Sequence, residues 1–323
     1  MTDAPIEEIG PSHKTAFNHK GPRLGDPIFA GISRIFGLAL IGMLFAILVV
    51  LVHAAWPSIE QFGFAFIPST TWNPVTNEFG AWPAIVGTLV SSCVAMLFAI
   101  PISFGIAVFI TEIAPPSIGS ALGRLIELMA GIPSIIFGMW GLLVFAPFLA
   151  RHVQPPIIEA FAGVPLLGTI FGPPPIGIGV FTAGIILAIM TIPLITAVMR
   201  DVILSVPTVM REAAYGIGCT RFEVVRLVLV PAGRIGLVGA VILGLGRALG
   251  ETMAVTFVIG NAHNISASLF MPGTTISATI ANEFTEATGT LYPAALMELG
   301  IILFVITIIV LALSRLMLRA TTL

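Results

Sequence analysis

Six stretches of this chain are apolar enough, over enough residues, to cross a lipid bilayer, and nothing else limits its fold so tightly. The hydrocarbon core is about 30 Å thick and a helix rises about 1.5 Å per residue, so a span needs about 20 mostly apolar residues. Residues 35–52, 84–111, 128–150 and 177–199 are free of charge, and 235–260 and 290–314 carry only isolated ionisable groups. Within lipid every backbone N–H and C=O must be paired internally, which makes helices the spanning form for runs of this length. Apolar residues make up 57% of the 323 and charged ones 9%, far below the roughly 25% charged of soluble domains. The expected fold is an all-α polytopic membrane protein with six transmembrane helices.

Orientation follows from the sorting of Lys and Arg. With both termini cytoplasmic, Lys14, Lys20, Arg23, Arg34, Arg124, Arg200, Arg211, Arg221, Arg226, Arg234, Arg315 and Arg319 all fall on or near the cytoplasmic side. Arg151 alone falls outside, and Arg247 lies within a span. The net charge of −2 is therefore no guide to nucleic acid, because positive charge is sorted by membrane side and not gathered into a patch. Cys93 sits in a span and Cys219 in a cytoplasmic loop, so no disulfide is expected, and no metal-ligand spacing occurs. Residues 1–29 are polar and read as a flexible cytoplasmic tail ahead of a membrane domain at 30–319. The first apolar run starts too late and runs too long for a signal peptide.

The most informative connection is 200–231, between the fourth and fifth spans. Pro207 suits the start of a helix. Arg211-Glu212-Ala213-Ala214 follows, and Ala214 and Gly218 stand four apart, leaving one face nearly flat. Gly218 ends this helix, and Thr220 with Glu223 has capping-box spacing for the next. An amphipathic surface loop and a docking helix for a partner both fit that pattern.

In the fifth span the small residues Gly236, Ala240 and Gly244, then Gly246 and Gly250, recur every fourth position and invite a close neighbouring helix. Arg247 falls about 18 Å beyond Ile235, near mid-membrane, where a guanidinium costs about 2.5–3.5 kcal/mol on insertion scales. It needs a partner or a polar cavity. Glu251, one turn on, is the expected neutralising group. A packing ion pair is one reading; the other is an arginine facing a pathway, where its planar fork suits a tetrahedral oxyanion. The third span opens Gly131-Ile132-Pro133-Ser134, a weak point in the helix that fits either a packing kink or a break whose free N–H groups meet an anion.

Residues 200–231 resemble the EAA loop of ABC-importer permeases, with Gly218 and Pro231 at that motif's spacings and Val228 and Val230 in place of its two aliphatic residues. Residues 243–256, together with Ala130-Gly131-Ile132-Pro133-Ser134 and residues 270–276, extend the similarity to the PstC-type permease subunits of bacterial phosphate ABC importers over roughly residues 30–318. The resemblance implies a MetI-like ABC-permease fold and a multi-pass subunit of the bacterial cytoplasmic (inner) membrane that translocates inorganic phosphate. It also implies a sister permease completing a heterodimer, a dimeric ATP-binding cassette subunit, and an external phosphate-binding protein. On this basis Arg247, Glu251, Gly131, Ser134 and Thr252 form the substrate pathway, while Arg211, Glu212, Ala213, Ala214 and Gly218 couple to the ATPase.

The chain carries no phosphate-binding loop of its own, its only lysines being Lys14 and Lys20, so ATP hydrolysis belongs to a partner and no cofactor is expected. Rival readings are a sulfate or molybdate permease, which would keep the loop and topology, and an ion-driven transporter, which would need no ATPase. An intramembrane enzyme is a third; His53, Ser91 and Ser92 supply no catalytic cluster for it. Of the outer loops, 54–83 carries Trp56, Trp72 and Trp82 as headgroup anchors, and 151–176 is a Pro-rich hairpin or interfacial helix. His263 reads as a solvated loop residue and Glu298 as interfacial.

Overall fold

The computed structural model describes residues 25–320. Most of the polar tail, with Lys14, Lys20 and Arg23, lies outside the described residues. Among the described residues the chain is helical, with two isolated β-bridges, Asn73 to Glu78 and Gly260 to Gly273. The first helices are α1 (Gly25–Phe62), α2 (Trp82–Val108), α3 (Pro116–Ala130) and α4 (Ser134–Trp140). Then come α5 (Ala146–Phe148), α6 (Gln154–Phe161), α7 (Leu167–Ile170), α8 (Val180–Ser205) and α9 (Thr208–Gly216). The rest are α10 (Arg221–Val224), α11 (Val230–Gly250), α12 (Met253–Val258), α13 (Ile276–Glu283) and α14 (Leu291–Ala320).

Wider five-residue turns of π geometry extend several helices without breaking them: Phe109–Ile113 after α2, Gly141–Phe145 and Leu149–Val153 around α5, and Val225–Leu229 before α11. Counted through these turns, six runs are long and apolar enough to cross a membrane: Pro27–Phe66, Trp82–Ile113, Ser134–Phe161, Val180–Ser205, Arg221–Gly250 and Leu291–Leu316.

Three of these depart from the sequence expectation: the first runs from Pro27 to Phe66, not 35 to 52, so Trp56 lies within helix α1 and not in an outer loop beginning at 54. The third starts at Ser134, not at 128, and continues past Arg151, because Pro155 and Pro156 stand in the first turn of α6, where a missing N–H costs little. The fifth starts at Arg221 and ends at Gly250, not 235 to 260. Pro231 is absorbed at the start of α11 directly after a π turn, and the chain turns extended at Glu251.

The chain divides into two units, Met1–Val50 and Leu51–Leu323. Over its described residues the first is one apolar helical stretch. In the second, α2 and α8 form the centre. Lipid offers no hydrophobic drive between helices, so close van der Waals contact must hold them. Gly184 lets α8 lie against Val94 and the Ser91 carbonyl, and Ala95, Ala99, Ala183, Ile186, Leu187 and Ile195 are all fully buried. Pro101 and Pro193 are tolerated inside these helices, and beside Pro193 the Ser103 hydroxyl donates to the Ile192 carbonyl at 3.2 Å.

The small-residue stripe of the fifth span divides in two. Gly236 packs on Val202, Ala240 is fully buried and Gly244 packs on Ile195, so α11 runs tight against α8. Gly246 and Gly250 have almost nothing near them. Glu298 is buried at 8% exposure, turned inward by α14.

Candidate functional site

At the end of α8 the sequence produces the expected helix, bend and helix. Gly218 takes φ +90°, its N–H donates to the Tyr215 carbonyl at 3.0 Å, and the Cys219 N–H donates to Ala214 at 3.1 Å. This is a Schellman ending, which needs a left-handed residue and so favours glycine. The Thr220 N–H then donates to the Glu223 carboxylate at 2.7 Å, while the Thr220 hydroxyl accepts from the Glu223 N–H at 3.4 Å, closing the capping box.

Glu212 and Ala213 are exposed on α9, beside Val209 at 71%, Ile217 at 83% and Phe222 at 70%. Val209, Ile217 and Phe222 thus leave an apolar surface exposed on this short segment. Ala214 is buried. Arg211 also turns inward, one arm on Glu112 at 2.9 Å and the other on the Ile203 carbonyl.

The two weak points of the spanning helices come to one level. Between α3 and α4 the Gly131 and Ile132 amides donate back to Leu128 and Met129 at 3.1 and 3.2 Å, and Pro133, lacking a donor, leaves Ser134 to begin α4. Between α11 and α12 stand Glu251 and Thr252. A Cβ on Gly138 would come within 2.9 Å of Ala254 and Phe257, and one on Gly141 within 3.0 Å of Val258. The two short helices therefore run parallel in contact, and both begin at the same end. Ser134, which begins α4, thus stands at the same end of the pair as Thr252, which precedes α12.

Arg247 is half-buried in the last turn of α11, where it lines a groove of about 670 Å³ with Leu194, Ile242, Leu311 and Arg315. Leu194 stands near the middle of α8, so Arg247 is level with the middle of that helix. The expected pairing with Glu251 does not occur. Helix α11 ends at Gly250, Glu251 takes an extended backbone, and its carboxylate accepts the Ala254 N–H of α12 at 3.3 Å. A carboxylate that caps a helix start is satisfied by backbone dipoles and has no need of the guanidinium. Among the described residues no ion pair holds Arg247, and its buried Nε has no partner.

Residues 99–322 match the family described as binding-protein-dependent transport system inner membrane component. The chain belongs to that family. A phosphate transport system permease protein PstC of Mesorhizobium japonicum is 54% identical over 295 residues, spanning 91% of this chain and 90% of its own. A solved chain of a bacterial alginate ABC transporter, in complex with an alginate pentasaccharide-bound periplasmic protein, superposes with a TM-score of 0.61 at 17% identity, over 93% of this chain and 99% of that one. A chain of the MetNI methionine ABC transporter, inward facing, gives 0.56 at 17% identity, over 77% and 99%. The fold is thus the MetI-like permease fold, and this inner membrane component is a multi-pass membrane protein.

At the end of the inner membrane component where α14 begins, four residues form a cluster that sequence spacing did not suggest. Glu283 accepts from Trp72 Nε1 at 2.7 Å, from the Tyr292 hydroxyl at 2.7 Å, and pairs with His263 Nε2 at 2.6 Å. Trp72 and His263 stack with centroids 5.0 Å apart. His263 is therefore no solvated loop residue and Trp72 no simple headgroup anchor; partners 211 residues apart leave no local signal.

Burial pushes the Glu283 carboxyl up, but the hydrogen bonds from His263, Tyr292 and Trp72 outweigh it and hold the group below its usual range. A lowered carboxylate stabilises the fold fully above its unfolded pKa and loses that contribution as pH falls through the folded one. The thermal midpoint of the detergent-solubilised protein is expected to be steady above about pH 5 and to drop below about pH 4. Glu283→Gln should flatten that drop; an unchanged acid slope in the variant would remove Glu283 as its source.

Proposed function

We propose that this chain is one permease subunit of an ATP-driven importer carrying inorganic phosphate into the cytoplasm. The observation that carries this reading is the unpaired Arg247, held level with the middle of α8 in a groove whose other walls are mostly apolar. A guanidinium kept there at a cost of about 2.5–3.5 kcal/mol, with no carboxylate beside it, suits an anion in transit. The PstC relative at 54% identity points to phosphate as that anion.

In this proposal residues 30–319 form the permease domain, with both termini cytoplasmic as the sorting of arginines supports. A dimeric ATPase docks on the exposed apolar face of α9 and the bend after it, within the coupling loop at 200–231. A sister permease supplies the other wall of the path, and a phosphate-binding protein delivers substrate at the opposite end. Gly131, Ser134, Glu251 and Thr252 line the path at the level of the paired breaks. Glu251 shapes the turn there and leaves the charge to Arg247.

Uptake by the complete complex in proteoliposomes, with the binding protein outside and ATP inside, tests the proposal. Phosphate is expected to accumulate only with ATP, and a tenfold excess of sulfate or molybdate should not compete. Uptake without ATP, or preference for another oxyanion, would overturn it.

A further inference from the structure

We infer that Glu112 is the positioning residue through which movement of α9 reaches the break at Gly131–Pro133, a reading that rests on the ATP-driven function proposed above. Glu112 stands in the π turn that closes the second spanning run, and its side chain is only 6% exposed. Its Oε1 takes Arg211 Nη1 at 2.9 Å, and the other arm of that guanidinium donates to the Ile203 carbonyl near the end of α8. Arg211 thus ties α9 to the ends of two spanning helices at once. It is turned away from the exposed face that carries Glu212 and Ile217.

From Glu112 the contacts continue through α3. Gly119 lies so close to the Ile110 carbonyl, in the same π turn as Glu112, that a Cβ there would stand 2.6 Å from it. One turn further, Gly123 lies under the Arg200 guanidinium, 2.8 Å from a Cβ position, and Arg200 Nη1 reaches Glu127 at 2.7 Å. Helix α3 is therefore held near its start by the π turn that carries Glu112, and farther along by Arg200 of α8. It runs directly into Gly131, Ile132 and Pro133, beyond which α4 packs on α12. Packed backbone and ion pairs leave no slack in this route, so a displacement of α9 must be passed to the break or break the Arg211–Glu112 pair.

An ion pair this buried is a poor source of net stability, and loss of one member strands the other charge. That suits a linkage more than a staple.

The test measures phosphate accumulated per ATP hydrolysed by the reconstituted complex. In Glu112→Gln the ratio should fall at least tenfold while hydrolysis stays within twofold of wild type, and Glu112→Asp should recover part of the ratio. A purely structural role would lower uptake and hydrolysis in parallel, and that result in an assembled complex overturns the inference. An unchanged ratio overturns it as well. Should Glu112→Gln fail to assemble, Arg211→Lys is read in the same assay, since it keeps the charge but cannot reach both partners: a lowered ratio supports the linkage and an unchanged one refutes it. A wild-type complex without ATP-dependent uptake sinks the functional proposal and the linkage together. A coupled wild type with an unaltered Glu112→Gln ratio sinks the linkage alone.

Discussion

Replacing Arg247 with alanine is expected to lower ATP-dependent phosphate uptake by about 30-fold or more, because losing a buried charge-assisted contact to an anion costs roughly 2–5 kcal/mol and each 1.4 kcal/mol is tenfold. The more telling half of the result is what should not change. If Arg247 were paired with Glu251, the substitution would strand a carboxylate inside the bundle and damage assembly. It is not paired: Glu251 already caps α12 through Ala254, so alanine leaves nothing unsatisfied and removes a charge that costs about 2.5–3.5 kcal/mol to insert. The variant complex should assemble as well as wild type, with an equal or higher thermal midpoint, and still fail to transport. Arg247→Lys, which keeps the charge and loses the planar fork, should fall between the two. Uptake by the alanine variant within threefold of wild type would remove Arg247 from the path.

What was legible in the sequence was local. The spans came from apolar runs, because lipid permits no other arrangement of backbone polar groups, and the bend after α9 came from Gly218, Thr220 and Glu223 acting on their immediate neighbours. The close seam of α8 and α11 came from Gly236, Ala240 and Gly244 at helical spacing. Directions of side chains were not legible. Arg211 lies within the proposed coupling loop by position, yet it turns to Glu112, 99 residues away, and no periodicity links the two. Glu251 reads as an intrahelical partner of Arg247 only if the helix continues. The helix instead ends at Gly250, and the Glu251 carboxylate accepts from a single amide of the next helix, that of Ala254. The cluster around Glu283 was hidden for the same reason as Arg211, its members coming from two loops and two helices.

Close backbone approach carries the other large effect, and it can be tested within one helix with opposite signs. Gly87 and Gly105 both lie in α2, and on helix propensity alone alanine at either should help by up to about 1 kcal/mol. Around Gly105 nothing stands within 4 Å of a Cβ, so Gly105→Ala should be neutral or slightly stabilising. At Gly87 a Cβ would overlap the Thr274 carbonyl oxygen, a backbone atom with no rotamer to yield. Thr274 is itself fixed, its hydroxyl 2.8 Å from that of Thr279, and the neighbouring Ile276 N–H donates to Thr88 on α2 at 3.0 Å. Gly87→Ala must therefore push the loop before α13 off α2 and break the Thr88 contact. Overpacking of this kind costs up to about 3 kcal/mol, enough to lower the thermal midpoint in detergent by up to roughly 5 °C. Equal midpoints for the two variants would mean that the loop yields freely, and that α2 and α13 are not held at the distance on which this end of the bundle is built.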